Sequence, residues 1–243
     1  MMTTDMLALP AHVRQQRFDD GRAMAEALAD RVAAMLRHNL GLRGEASLVV
    51  AGGRSPVPFL RALSQRKLPW ERVRVTLADE RWLPAEHPDS NAGLVQANLL
   101  QGPAAAARLV PLYGGEADPV AGLAACAERM KAVPQPFDVV VLGMGEDGHF
   151  ASLFPGVPGL ATLLGPDAPQ LAAIDPPAAA HPRISFSLAA LQRSRNVFLQ
   201  IAGARKLAVI EQAAARGDAL LQPVAALLRQ TSAPLQVFFS PSE

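Results

Sequence analysis

Phe137-Asp138-Val139-Val140-Val141-Leu142-Gly143-Met144-Gly145-Glu146-Asp147-Gly148-His149-Phe150-Ala151-Ser152-Leu153-Phe154-Pro155-Gly156 is the stretch on which the reading of this chain turns. It opens on a short apolar, β-branched run, the pattern of a buried parallel strand. Gly143, Gly145 and Gly148 follow, with Glu146, Asp147 and His149 among and after them. Glycine lets backbone approach a ligand closely, and imidazole titrates near neutral pH. In open α/β sheets ligands lie at the carboxyl ends of strands, where His149 would fall. The stretch is a candidate active site.

The same residues match the dinucleotide fingerprint, Gly143-x-Gly145-x-x-Gly148. That fingerprint should open a helix and meet an acidic residue roughly 20 positions on. Here it runs into Leu153-Phe154-Pro155-Gly156-Val157-Pro158-Gly159, which cannot continue a long helix. Asp167 has the spacing but sits in the turn-rich Gly165-Pro166-Asp167. The context argues against a dinucleotide site.

Working outward, short β-branched runs predict strands at 47–51, 73–77, 109–112, 137–142, 171–174, 183–187, 196–201 and 235–239. Helical spacing and capping residues predict helices at 20–40, 56–63, 91–100, 119–131 and 204–215, with Asp89-Ser90 capping the third. Strand and helix alternate, which argues for an α/β fold: a parallel or mostly parallel sheet with helices on both faces. The Pro- and Gly-rich stretch 155–182 reads as a lid or a crossover. No segment is long enough to be a linker, so 1–243 is expected to form a single domain.

Composition narrows the function classes. The chain has 243 residues, half of them apolar, and a formal net charge of +1. A core can form without disulfides. No bulk field points to nucleic acid or to an acidic membrane surface, so anion selectivity must come from a few local Arg and Lys side chains. Cys126 is the single cysteine and reads as a buried structural thiol. Met1 to Pro10 shows no secretory signal, and no apolar run reaches about 18 residues. A cytoplasmic enzyme or binding protein is the default expectation.

Four places hold candidate chemistry. Ala51-Gly52-Gly53-Arg54-Ser55-Pro56 is a strand-to-helix turn that either presents backbone N–H groups to an anion or simply needs glycine for its geometry. It lacks the Gly-Lys-Ser/Thr ending of a P-loop. Asp79-Glu80-Arg81, with His87-Pro88-Asp89-Ser90-Asn91, is either a surface ion cluster or a site at a strand end. Asp147 and His149 flank Gly148, so the carboxylate can orient the imidazole as a general base. No Gly-x-Ser-x-Gly elbow is present. His12, His38, His87, His149 and His181 form no His-x-x-x-His pair, so no metal site is expected. Arg183 and Lys206 are cations at presumed strand ends, suited to phosphate but ordinary in isolation.

Taken together, these groups resemble the 6-phosphogluconolactonase family, within the wider group that includes glucosamine-6-phosphate deaminases. The resemblance runs from the first helix to Lys206. It rests on residues 143–156, on Asp79-Glu80-Arg81-Trp82-Leu83-Pro84 with 87–91, on Arg183-Ile184-Ser185, and on Gly203-x-x-Lys206. It implies a doubly wound, Rossmann-like three-layer α/β sandwich. The implied reaction is hydrolysis of 6-phospho-D-glucono-1,5-lactone in the oxidative pentose phosphate pathway, without metal or cofactor. By the same resemblance His149 is the base that activates water. Arg183 and Lys206 hold the phosphate, with amides of the Gly52-Gly53 loop and neighbouring Arg54 and Ser55. Asp79 and Arg81 match pocket residues of the family, and Asp79 and Asp147 join His149 as candidate catalytic groups.

Some positions depart from the family pattern. Ala51 stands where Ser is expected, Ser55 where Thr would precede the proline, and Phe150 where Thr is usual. The deaminase branch carries a Glu a few residues after the histidine, in a Gly-His-x-Ala-Phe-Asn-Glu-Pro pattern, and here Phe154 precedes Pro155. A non-catalytic sugar-phosphate sensor is the third reading, since fold alone does not exclude it. The expected partner is a small sugar phosphate, with neither nucleic acid nor membrane, on a monomer or weak homo-oligomer.

Overall fold

The computed structural model describes residues 6–177 and 179–242. Among these residues ten strands and eight α-helices run in the order β1 (Arg14–Arg17), α1 (Gly21–Arg43), β2 (Ala46–Val50), α2 (Val57–Ser64), β3 (Val73–Leu77), β4 (Asp79–Arg81), α3 (Asn91–Asn98), β5 (Arg108–Leu109) and α4 (Pro119–Met130). They continue with β6 (Val139–Leu142), α5 (Leu160–Leu163), β7 (Leu171–Ile174), β8 (Arg183–Phe186), α6 (Leu188–Gln192), β9 (Val197–Ala202), α7 (Ala204–Arg216), α8 (Val224–Arg229) and β10 (Leu235–Ser240).

Seven strands form one parallel sheet in the order β1-β10-β9-β6-β2-β3-β5. From β2 the chain steps outward to β3 and β5, then returns to the other side of β2 to lay down β6, β9 and β10. This is a doubly wound sheet, and the direction of winding reverses between β2 and β6. The loops leaving those two strands diverge and open a crevice at their carboxyl ends. Every residue of β2 and β6 is buried. That is why β6 reads as a continuous apolar run and β2 as one broken only by Ser47: central parallel strands are covered on both faces.

The amino ends of the same strands are clasped by Asp138, which is fully buried. Its carboxylate accepts from the Ser47 backbone N–H at 2.9 Å and pairs with Arg43 and, at 3.3 Å, with Arg195. Arg43 closes α1, so one carboxylate ties that helix to the two strands that flank the crevice. A buried carboxylate stripped of such partners typically costs 3–5 kcal/mol.

Several expectations change in detail. The strands read at 171–174 and 183–187 lie outside the parallel sheet. With β4 they make a three-stranded antiparallel sheet in the order β4-β8-β7. The run at 109–112 pairs only at Arg108–Leu109, because Pro111 has no N–H to offer a ladder. The stretch 155–182, read as a lid or a crossover, carries α5 in addition to the expected strand β7. β1, α5, α6 and α8 are short and carried no periodic signal. Cys126 is buried, and burial pushes its thiol up to about 11. Among the described residues no helix is long and apolar enough to cross a membrane.

Candidate active site

β6 ends at Leu142 and the chain turns at once. Gly145 N–H donates to the His149 carbonyl at 2.9 Å, and Gly148 N–H to the Gly145 carbonyl at 3.1 Å. Gly148 holds φ at +79°, which only glycine adopts without strain. The turn lays the side chains of Asp147 and His149 across Gly145. A Cβ there would lie 2.2 Å from His149 Cε1 and 2.3 Å from Nδ1. These glycines make room for an acid–imidazole pair. No helix opens on them, so the fingerprint spacing has a different cause.

Within the pair, Asp147 Oδ1 sits 2.5 Å from His149 Nδ1 and 3.1 Å from the His149 backbone N–H. Burial works against the Asp147 carboxylate, but the His149 ring and backbone N–H outweigh it and hold its carboxyl below the ordinary value. The imidazole packs on Phe154, with centroids 4.1 Å apart and planes at 35°. A ring seated on one face and bonded through Nδ1 presents Nε2 as its free nitrogen.

The chain then passes through Ala151, whose φ of +48° is rare for a residue with a side chain. That bend points the loop at the antiparallel sheet. Ser152 Oγ donates to Asp79 Oδ2 at 2.5 Å, and Ser152 N–H to Ser185 Oγ at 3.2 Å. Asp79 is nearly buried, and its Oδ2 also faces Arg183 Nη1 at 3.6 Å. Arg183 lies over the Phe154 ring, 5.2 Å from its centroid. Thus Phe154 carries His149 and Arg183 on one aromatic platform. Burial draws the Arg183 pKa down, against the pull of Asp79, and its Nε–H is buried without a partner. Such a guanidinium gains from an anionic ligand.

Arg81 stands opposite Arg183 in the β4–β8 register. Its Nη1 donates to the Asp89 carbonyl at 2.7 Å and to Asn91 Oδ1 at 2.8 Å. Asn91 Nδ2 donates to the Asp79 carbonyl at 2.8 Å. The Asn91 amide also fills the space beside Gly52, where a Cβ would meet its Oδ1 at 1.8 Å. Asn91 therefore joins three of the predicted groups. Sequence reading took it as a helix start and as the last residue of the candidate segment 87–91, but not as a site residue; its signal was a polar residue opening a capped helix in a charged segment. Glu80 is fully buried and accepts from the N–H groups of Arg81, Asn91 and Ala92 at 2.7–2.8 Å and from Ser90 Oγ at 3.2 Å. It caps α3 and faces away from the chemistry.

A cavity of about 170 Å³ lies at the mouth of the crevice. Gly52, Gly53, Arg54, Ser55, Asp79, Arg81, His149 and Arg183 all line it. Asp147 stands behind His149. Lys206, in the first turn of α7, is not part of the lining; its Nζ donates to Ser55 Oγ at 3.0 Å from the rim. Glu146 turns outward to Arg205 at 3.6 Å. Among the described residues no three His, Cys, Asp or Glu side chains gather as a metal-holding group.

This arrangement joins an oriented imidazole to a cationic, glycine-walled cavity at a topological switch point. The chain is similar to known proteins in sequence and in fold. Residues 19–236 match the family model of glucosamine-6-phosphate isomerases/6-phosphogluconolactonase. A 6-phosphogluconolactonase of Rhizobium meliloti is 44% identical over 92% of this chain and 97% of its own. One of Pseudomonas aeruginosa is 44% identical over 99% of this chain and 100% of its own. A crystal structure of a 6-phosphogluconolactonase from Shewanella baltica superposes with a TM-score of 0.92 at 38% identity, covering 96% of this chain and all of that one. The chain belongs to the glucosamine-6-phosphate isomerase/6-phosphogluconolactonase family.

Proposed function

We propose that this chain, as one domain over 1–243, hydrolyses 6-phospho-D-glucono-1,5-lactone to 6-phospho-D-gluconate, a carboxylic ester hydrolysis in the pentose phosphate pathway. The observation that carries the reading is the His149 imidazole, held by Asp147 across Gly145, in the same cavity as Arg183. His149 Nδ1–H donates to Asp147, so Nε2 accepts a proton from water as its oxygen attacks the lactone carbonyl. The tetrahedral intermediate collapses by breaking the bond to the ring oxygen. That oxygen leaves as the 5-hydroxyl, taking the proton back from His149. The acid formed ionises at neutral pH. Positioning and electrostatics suffice for a carbonyl that is already electrophilic.

Arg183 and Lys206 hold the 6-phosphate, with N–H groups of the Gly52–Ser55 loop. Asp79 has its carboxylate committed to Ser152 and Arg183, which supports a role in aiming the arginine rather than in moving protons. Amino-sugar isomerisation would need a second acid–base group beside His149. Phe154 occupies that neighbourhood, and Glu146 is engaged by Arg205 at the surface. The test is to supply both substrates. Lactone turnover without ammonia release from glucosamine 6-phosphate is expected. Ammonia release at a comparable kcat/KM would overturn the reading.

A further inference from the structure

Arg81 and Arg183 face each other across β4 and β8, and each rests on a backbone carbonyl from outside the sheet. Arg81 Nη1 donates to the Asp89 carbonyl at 2.7 Å. Arg183 Nη2 donates to the Ala180 carbonyl at 3.3 Å. These carbonyls belong to two separate loops, and a polar side-chain contact joins the loops: His181 Nε2 lies 3.2 Å from Asp89 Oδ2. His181 follows Ala180 directly, so the contact ties together the supports of both arginines.

Two further features mark the contact as built. His181 holds φ at +71°, a strained conformation that a residue with a side chain keeps only where its surroundings impose it. His87 packs edge-on against the His181 ring, with centroids 5.6 Å apart and planes at 74°. His87 Nδ1 also accepts from the Asp89 N–H at 3.1 Å, so it steadies both members of the bridge.

We propose that His181 is a positioning residue: through its bridge to Asp89 it fixes the aim of Arg81 and Arg183 at an anionic substrate. This rests on the reading above, in which Arg183 holds the 6-phosphate. Neither His181 nor Asp89 lines the cavity, so their substitution leaves the reacting groups in place.

The test compares wild type with His181→Gly, Asp89→Ala and Asp89→Asn. Glycine suits the positive φ, and the Asn side-chain oxygen still accepts a hydrogen bond. Lactone kinetics, Tm, and calorimetric titration with 6-phosphogluconate and inorganic phosphate are measured. His181→Gly and Asp89→Ala should raise KM and weaken both titrated ligands about twofold to tenfold, the scale of a partly exposed bridge and a misaimed arginine. Their kcat should hold within about twofold, since the reacting groups are untouched. Asp89→Asn should recover most of the affinity. Unchanged affinities in both disruptive variants would overturn the proposal. So would a lowered Tm with affinity intact, which would make the bridge a brace of the loops alone. If wild type binds both anions but leaves the lactone intact, the lactonase reading fails and the titrations alone judge the bridge. Wild type that binds neither anion removes both.

Discussion

One oxygen of Asp147 serves His149 twice, 2.5 Å from its ring Nδ1 and 3.1 Å from its backbone N–H. The ring is therefore fixed in tautomer and in direction by a residue two positions away, within a turn that glycine alone closes. The consequence is a base whose aim is set locally, before any long-range packing.

Removing the base should be the most damaging single change. His149→Ala is expected to lower kcat by about 10²–10⁴-fold, the range for losing general base catalysis. Asp147→Asn should also lower kcat, by less, because the amide still reaches the ring but no longer opposes its positive charge. Steady-state assays with KM near wild type would bear this out. Near-wild-type kcat in His149→Ala would remove the assignment.

Gly145→Ala tests whether the pair needs the space beneath it. The new methyl would stand 2.2 Å from His149 Cε1, so the ring must swing off Phe154 or away from Asp147. A displacement of about 1 Å in a catalytic group can cost up to 100-fold in rate. We expect most of that loss in kcat, with phosphate-dependent KM largely kept. Full activity in this variant would show that the ring position is not critical.

The two phosphate cations should separate by their surroundings. Lys206 reaches Ser55 from the rim, so Lys206→Ala should raise KM by about one to two decades, the worth of a charge-assisted contact, with Tm unchanged. Arg183 is buried against Asp79 and Phe154, so Arg183→Ala should raise KM and lower Tm together. If both variants lower kcat and leave KM alone, the division between anchor and base is wrong.

Glu80 should leave a mark on stability against pH. Burial, opposed by three backbone N–H groups, raises its carboxyl from an ordinary 4.5 to about 6. The folded state then holds the proton more tightly than the unfolded chain. Stability from this group is complete below pH 4.5 and falls as pH rises through 6, by on the order of 2 kcal/mol. Urea unfolding across that window should show the slope in wild type. Glu80→Gln should flatten it, whatever constant cost its amide adds beside the Ala92 N–H. An identical slope in the two proteins would place the titration elsewhere.

Sequence alone determined the class of fold and the part of the candidate site that is local in the chain. Val139–Leu142 and Leu48–Val50 announce themselves because central parallel strands are buried on both faces, which leaves apolar runs. Gly145, Asp147, Gly148 and His149 are legible because the turn, the carboxylate and the ring lie within five residues and define their own geometry. Tertiary structure decided everything that depends on distant segments meeting. Asp79–Arg81 and Arg183–Phe186 are short and mixed in character, and nothing local says that they pair antiparallel outside the main sheet. The register of that pairing sets Arg81 opposite Arg183. Asn91 reaches Gly52 across 39 positions, and Phe154 gathers His149 and Arg183 onto one ring. These contacts follow from the reversal of winding between β2 and β6, a property of strand order. Strand order comes from burying all the apolar faces together, and no single segment encodes it.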